Sequence, residues 1–398
     1  MALTAPRGER LNIGLFGRRN VGKSSLLNAL CAQQVSIVSD TPGTTTDAVS
    51  KIYELIPVGP VTFFDTAGID DSGTIGTLRT AATQKIMNKT DIALLVTDEN
   101  GIGTYEHSLM GTLNTLNIPF ILVVNKSDKA NPLIADKLPC PVVRISAAKK
   151  ENIEYLKAVI TDIVPDYLKT APALVRDLIT QGQTVVCIAP IDSSAPKGRL
   201  ILPQVQVIRD ILDAHAYAYV IQNDREFLQI QENLKTPPAL VITDSQLIRS
   251  VAAVVPSEIN LTTFSTLFAR YKGDLKILYD GAKHLQNLPD NAEILIAEAC
   301  SHHVQNDDIA RVKMPTLIKN VLKKELHFEW SAGSDFPDDL NRFDIVIHCG
   351  GCMLSRLETL RRLNECVRSG VPVTNFGMAL SAMQGVLDRV IRPFGVQS

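Results

Sequence analysis

The sequence predicts an α/β protein of two or three domains built on open, mostly parallel sheets. Three observations carry that prediction. Short apolar runs alternate with helical patterns along the whole chain, a glycine-rich loop joins the first of those runs to a helix, and two of the later runs end in cysteine. The bulk properties agree: 398 residues, 45% hydrophobic and 21% charged, have the balance of a globular chain large enough for more than one core. A formal net charge of −2 advertises no nucleic-acid partner. No signal-peptide pattern precedes the first motif and no run of about 18 apolar residues occurs, so no membrane segment is expected and a cytoplasmic location is. The 7 cysteines are sparse and gather toward the end of the chain. That pattern fits a reducing compartment and metal or redox chemistry better than disulfides.

Leu11–Phe16 is an apolar strand, GRRNVGKS follows over 17–24, and a helical pattern runs on to Leu30. Strand, glycine loop and helix form the context in which backbone N–H groups and a helix N-terminus capture phosphate. Gly17, Asn20, Val21, Gly22 and Ser25 shape the cradle, Lys23 reaches the β and γ phosphates, and Ser24 binds Mg²⁺. The strand Val61–Phe64 ends in Asp65-Thr-Ala-Gly68, where the carboxylate of Asp65 can hold Mg²⁺ through water and the Gly68 amide can meet the γ-phosphate. The strand Ile121–Val124 ends in Asn125, Lys126, Ser127 and Asp128. Asp128 can accept two bonds from the N1–H and N2–H₂ edge of guanine; adenine lacks that edge, so the position selects GTP over ATP. Ser146, Ala147 and Ala148, after the strand Val142–Ile145, suit backbone contact with the base. Four motifs at strand ends and in order place the nucleotide along the carboxyl edge of one sheet.

On these motifs residues 8–168 resemble the Era/TrmE-like branch of the Ras-type P-loop GTPases. The resemblance implies a Ras-like domain that hydrolyses GTP to GDP and phosphate. It makes PGTTTD over 42–47 switch I, with Thr45 as the Mg²⁺-linked threonine and Thr44 beside it, and makes Asn20 a K⁺ ligand in a potassium-activated site. One departure stands out. Members of the branch often carry an acidic residue in switch II to orient water, and over 69–79 this chain offers only Asp70 and Asp71, with no glutamine and no glutamate. Slow hydrolysis is expected, as suits a switch.

Pro165 and Pro172 punctuate a boundary near 168. A small α/β unit follows over 169–262: strands at Thr184–Ala189 and Ala239–Thr243, helices at Val205–Leu212 and 246–255. It carries no catalytic pattern. Asp192, Ser193, Ser194 and Lys197 share a loop that reads as a polar turn, and Cys187 reads as a buried small hydrophobe. A dimerisation module, and hence a homodimer, is the expectation.

Over 263–398, strand candidates recur at Leu275–Leu278, Ala292–Ala297, Phe343–Ile347 and Val371–Thr374, separated by helical patterns such as Leu354–Val367. This reads as a third domain with a mostly parallel sheet. One strand runs into Cys300, followed by His302 and His303; another runs into His348-Cys349-Gly-Gly-Cys352. Parallel strands would bring the three thiols to one edge. Zinc with three cysteines and a histidine, a redox pair, and a [4Fe–4S] cluster with one open iron are all compatible with those residues. Cys366 reads as helix packing. His107, His215, His284 and His327 have no ligand-spaced neighbour, and Trp330 alone makes no stacking platform for nucleic acid.

The whole pattern, GTPase motifs followed by Cys300-x-His302 and His348-Cys349-x-x-Cys352, resembles the HydF family of [FeFe]-hydrogenase maturation GTPases. That resemblance implies a [4Fe–4S] cluster on Cys300, Cys349 and Cys352, with His302, His348 or Asp307 as fourth ligand or as groups that orient the thiolates. It also implies a dimeric scaffold that assembles or carries a two-iron precursor to the apo-hydrogenase, with two radical-SAM maturases as partners. The competing expectation is a tRNA-modification or ribosome-assembly GTPase with structural zinc, which the lack of a basic tract disfavours.

Overall fold

The computed structural model describes residues 8, 10–31, 49–66, 83–84, 86–130, 132–134, 138–164, 173–191, 200–299, 309–333, 336–337, 339–351 and 354–396. The chain divides into two compact units, 1–171 and 172–398.

In the first unit the described residues form one sheet of six strands: β1 (Leu11–Phe16), β2 (Val49–Leu55), β3 (Gly59–Asp65), β4 (Ile92–Thr97), β5 (Phe120–Val124) and β6 (Val142–Arg144). Their order is β2-β3-β1-β4-β5-β6, parallel throughout except for β2 against β3. The helices are α1 (Lys23–Cys31), α2 (Thr104–Thr115) and α3 (Ile153–Ile163). Every residue of β1, β4 and β5 is buried, which is why these strands read as unbroken apolar runs rather than alternating ones. Ile13 and Leu15 pack with Leu26 and Leu30 of α1 and Leu156 of α3. Phe16 and Leu95 pack on the opposite face with Leu109 and Leu113 of α2. The chain crosses from one side of β1 to the other between β3 and β4, and the crevice at such a switch point is where an α/β sheet binds its ligand.

The second unit holds two four-stranded parallel sheets among its described residues. The first is built from β7 (Thr184–Ile188), α4 (Leu202–Asp213), β8 (Tyr217–Ile221), α5 (Asp224–Gln231), β9 (Leu240–Thr243), α6 (Ile248–Val254) and β10 (Asn260–Thr263), in the strand order β10-β9-β7-β8. Two helices, α7 (Phe264–Lys272) and α8 (Leu275–Leu285), lead to the second. It comprises β11 (Ala292–Glu298), α9 (Met314–Leu322), β12 (Leu326–Ala332), β13 (Ile345–His348), α10 (Arg356–Arg368) and β14 (Val373–Asn375), followed by α11 (Phe376–Met383) and α12 (Leu387–Ile391). Its order is β12-β11-β13-β14. Helix α7 belongs to both cores: Phe264, Leu267 and Phe268 pack with the first sheet and Ala269 with the second. Among the described residues no helix is long and apolar enough to cross a membrane.

The expected strand at Leu275–Leu278 is instead the start of α8. Asp274 caps that helix, accepting from the Lys276 and Ile277 amides at 2.9 and 3.1 Å. Leu275, Leu278, Tyr279, Ala282 and Leu285 then form one buried stripe. A four-residue apolar run looks the same in a strand or a helix; the cap and the continuing stripe decide it. The real fourth strand is β12, LHFEWSA, whose first residue alone is buried. It lies at a sheet edge and lacks the apolar run that marks its neighbours.

Gly281 shows how closely α8 sits on this sheet. A Cβ there would come within 2.0 Å of the Val373 carbonyl oxygen. Gly281→Ala is expected to destabilise the second unit by about 3 kcal/mol, read as a lowered urea midpoint in the full chain. An unchanged midpoint would mean that the helix can shift without cost.

Candidate functional site

At the first switch point β1 ends in Gly17, with φ at 146°, and the loop passes through Asn20 at 62° and Gly22 at 94°. Close approach forces both glycines. A Cβ on Gly17 would meet the Val96 carbonyl oxygen at 2.2 Å, and one on Gly22 would meet Asn125 Nδ2 at 2.3 Å. Asn20 tolerates the left-handed conformation better than most residue types and stands exposed at the loop's crest. Lys23, 7% exposed, donates to the carbonyl oxygens of Gly17 and Arg18, both at 2.7 Å. The loop thus wraps its own ammonium, holding the charge where phosphate oxygens would arrive. Ser24 Oγ donates to Asp65 Oδ2 at 2.6 Å, so the two groups expected around Mg²⁺ already touch.

Asn125, 2% exposed, ties the base side to the phosphate side. Its Nδ2 donates to the Val21 carbonyl at 2.9 Å, and its Oδ1 accepts from the Ala147 amide at 3.0 Å. Ser146 Oγ donates to Asp128 Oδ1 at 2.7 Å. That bond holds the exposed Asp128 carboxyl below its usual range, so it stays an acceptor for a guanine edge. Ala148 is exposed, and Ser25 is exposed next to Ser24 in the first turn of α1.

Sequence reasoning missed the loop after β4, which braces both halves of this site. Lys126, at φ 60°, places Nζ 3.0 Å from Asp98 Oδ2 and 3.5 Å from Glu99 Oε2. Burial raises the Asp98 carboxyl, but the hydrogen bonds from Lys126 and Asn100 outweigh it and leave the group below its usual range. Arg18 donates from Nε to Glu106 Oε1 at 2.8 Å and from Nη2 to the Gly101 carbonyl at 2.9 Å. The Glu106 side chain is fully buried, and its other oxygen accepts the Gly103 amide at 2.8 Å. The signal was present in sequence as an acidic cluster following an apolar run, Asp98, Glu99 and Glu106 after Ile92–Thr97. Thr44, Thr45, Gly68, Asp70 and Asp71 lie outside the described residues.

The second candidate site lies at the switch point of the last sheet, between β11 and β13. These strands pair in parallel with Ala297 opposite His348, so both chains leave the same edge side by side. The Cys349 amide donates to the Ala297 carbonyl at 2.8 Å, and the Ala299 amide donates to Cys349 Sγ at 3.1 Å. Burial pushes the Cys349 thiol up. Cys300, His302, His303, Asp307 and Cys352 lie outside the described residues. Among the described ones no group of three or more His, Cys, Asp or Glu could hold a metal.

His348 is buried, with Nδ1 2.8 Å from the Cys349 carbonyl oxygen and Nε2 3.3 Å from Arg362 Nη1. Burial and then the Arg362 charge lower it to about 4, so the ring is neutral. A neutral ring that donates from Nδ1 and accepts at Nε2 has no lone pair left for a metal in this arrangement. Arg362, also buried, donates from Nη2 to the Gly333 carbonyl at 2.8 Å and to Glu358 Oε1 at 3.1 Å. From the other side Lys272, at the end of α7, donates to the carbonyls of Gly351 and Leu354 at 3.0 and 2.8 Å. Gly351 takes φ 63°, a turn that glycine makes without strain. A cavity of about 20 Å³ lies here, lined by Phe268, Lys272, Leu278, His348, Cys349 and Asn375 among others. A thiol with a backbone N–H aimed at its sulfur and two buried cations nearby fits an anionic, thiolate-bound metal group. The remaining cysteines behave as packing: burial pushes both Cys187 and Cys366 up to about 12.

Comparison with known proteins gives three family matches. The 50S ribosome-binding GTPase model matches residues 12–126, the hydrogen maturase F dimerization domain 174–273, and the hydrogen maturase F tetramerization domain 276–393. GTPase Der of Campylobacter curvus is 36% identical over 173 residues, which are 39% of this chain and 37% of that protein. The tRNA modification GTPase MnmE of Prochlorococcus marinus is 38% identical over 150 residues, 37% of this chain and 31% of that protein. The chain therefore spans little more than a third of the curated relatives it matches. Era of Aquifex aeolicus bound to GDP.AlF4- overlaps 56% of this chain and 97% of its own, with 23% identity and a TM-score of 0.33.

Proposed function

From the premise that the chain belongs to the hydrogen maturase F (HydF) family, whose two domain models together span more than half of it, we propose that it is a GTP-hydrolysing scaffold in hydrogenase maturation. The first 168 residues bind GTP and Mg²⁺ and hydrolyse GTP to GDP and phosphate. Residues 169–262 carry self-association. Residues 263–398 hold a [4Fe–4S] cluster on Cys300, Cys349 and Cys352, and the assembled chain carries a two-iron precursor to the apo-hydrogenase in concert with two radical-SAM maturases.

In the nucleotide site the loop amides and Lys23 neutralise the phosphates. Ser24 and Asp65, already in contact, hold Mg²⁺ directly and through water, with Thr45 completing the shell. Asn125 fixes the distance between the phosphate loop and the base loop, and Asp128 reads guanine. Asn20, exposed at the crest of the loop, holds K⁺ against the phosphates. Hydrolysis in potassium salt is therefore expected to run about tenfold faster than in sodium salt; equal phosphate release in the two salts would remove K⁺ from the mechanism.

One observation carries the cluster reading: the parallel pairing of β11 and β13 at a switch point, which sends the chain toward Cys300 and Cys349 from adjacent strand ends. A cluster bound there supplies an iron with a fourth position for an exchangeable ligand. His302 or Asp307 is the proposed ligand, because both ring nitrogens of His348 are engaged by protein. Self-association is supported by Tyr217, Tyr219 and Val220, which β8 leaves exposed at its sheet edge. The test is anaerobic purification of the full chain. Brown protein with iron and sulfide in near-equal amounts is the expected result. Colourless protein with stoichiometric zinc would sink the cluster reading in favour of a structural zinc site.

A further inference from the structure

We propose that Glu106 is a positioning residue for nucleotide binding. Acting through Arg18, it holds the phosphate loop in its anion-receiving shape before nucleotide arrives, and so sets the affinity for GTP and GDP alike while leaving the chemical step alone. The inference rests on residues 17–24 receiving the nucleotide's phosphates.

Glu106 stands in the first turn of α2 with its side chain fully buried. A buried carboxylate is costly unless its oxygens are engaged and its charge is matched. Oε2 accepts the Gly103 amide at 2.8 Å, the glutamate's half of a capping box. A neutral glutamine makes that bond as well, so capping does not account for the charge. The charge is met across 88 residues by Arg18, whose Nε donates to Oε1 at 2.8 Å.

Arg18 lies inside the phosphate loop, one residue after Gly17. Its guanidinium also reaches the end of β4 and the loop that follows, with Nη2 2.9 Å from the Gly101 carbonyl oxygen and 3.4 Å from Thr97 Oγ1. That loop is held from the base side as well, where Asp98 takes the Lys126 ammonium at 3.0 Å. The Arg18 carbonyl oxygen in turn accepts from Lys23 Nζ at 2.7 Å. The residue that seats the phosphate-binding ammonium on its main chain is therefore clamped through its side chain to α2. Gly17 and Gly22, both at positive φ, have more backbone freedom to lose than any other residue type. A loop ordered in advance spares the nucleotide that cost. The saving is the same for GTP, for GDP and for the transition state, so it falls on Kd and KM and not on kcat.

The test uses the full chain, with a fluorescent GDP analogue for affinity and phosphate release for turnover. Glu106→Gln keeps the capping bond and turns an N–H₂ group toward the guanidinium, donor against donor. It is expected to raise the Kd for GDP and the KM for GTP together by about tenfold, with kcat within about twofold of wild type. The double variant Arg18→Gln, Glu106→Gln removes both charges at once and is expected to match Glu106→Gln within about threefold. A merely structural role would lower the amount of GDP bound at saturation and leave Kd and KM unchanged; that result overturns the proposal, as does a fall in kcat at unchanged KM. A double variant weaker than Glu106→Gln by a further factor of about ten would mean that Arg18 meets the nucleotide itself, and overturns it too. Should Glu106→Gln not fold, the double variant decides: raised Kd and KM at unchanged kcat support the proposal, and unchanged constants overturn it. A wild-type protein that binds no GDP overturns both the proposal and the nucleotide reading.

Discussion

Lys23→Ala is expected to abolish GTP hydrolysis, by about 10³-fold or more, while iron and sulfide content stay at the wild-type level. The lysine is buried in its loop and bonded to the Gly17 and Arg18 carbonyls, so its charge is fixed before nucleotide arrives. Phosphate oxygens then replace carbonyls as its partners, and the charge that builds on them during transfer is met without reorganisation. Alanine removes the one side-chain ammonium seen inside the loop and leaves the amides alone to balance the phosphates. Phosphate release under saturating GTP measures the loss. An iron content that fell with the GTPase rate would contradict the division of labour between 1–168 and 263–398.

Cys349→Ser is expected to do the reverse, with iron and sulfide falling to background and GTP hydrolysis changing by less than about twofold. Serine is nearly isosteric, and its hydroxyl can still accept from the Ala299 amide, so the fold is kept. A hydroxyl remains protonated near neutral pH and is a hard oxygen donor, whereas iron–sulfur clusters are held by soft thiolates. Full iron occupancy in this variant would remove Cys349 from the ligand set. Together with Lys23→Ala it forms a double dissociation that no single-site explanation reproduces.

The nucleotide site was largely legible in the sequence because phosphate recognition is local. A loop that aims several amides at one anion must be contiguous, as at 17–24, and each further motif sits at the end of an apolar strand. The cysteine edge was legible as a list of thiols and became a place through the register of β11 and β13. What stayed hidden depends on partners far apart in the chain. The acidic residues after β4 are visible in the sequence, but the pairing of Glu106 with Arg18 is not, and Lys272 reads as a solvated helix end until the Gly351 carbonyl is found on it. The error at Leu275–Leu278 has a different origin. Four apolar residues carry no period of their own, and the helix is settled by Asp274 before them and by Ala282 and Leu285 after.

The two sheets of the second unit are locked to each other by the helix between them and by a helix that follows the second sheet. Helix α7 packs in both cores, and from α12 Arg389 donates back to the carbonyls of Ala252, Val255 and Pro256 at 2.6–2.8 Å. Neither sheet can melt without stripping apolar surface from the other. Residues 172–398 are accordingly expected to unfold as one cooperative step with a single calorimetric peak; two resolved peaks would mean that the two sheets melt independently. A fragment cut between the two matched hydrogen maturase F domains, after α7, would expose the seam rather than release two independent folds.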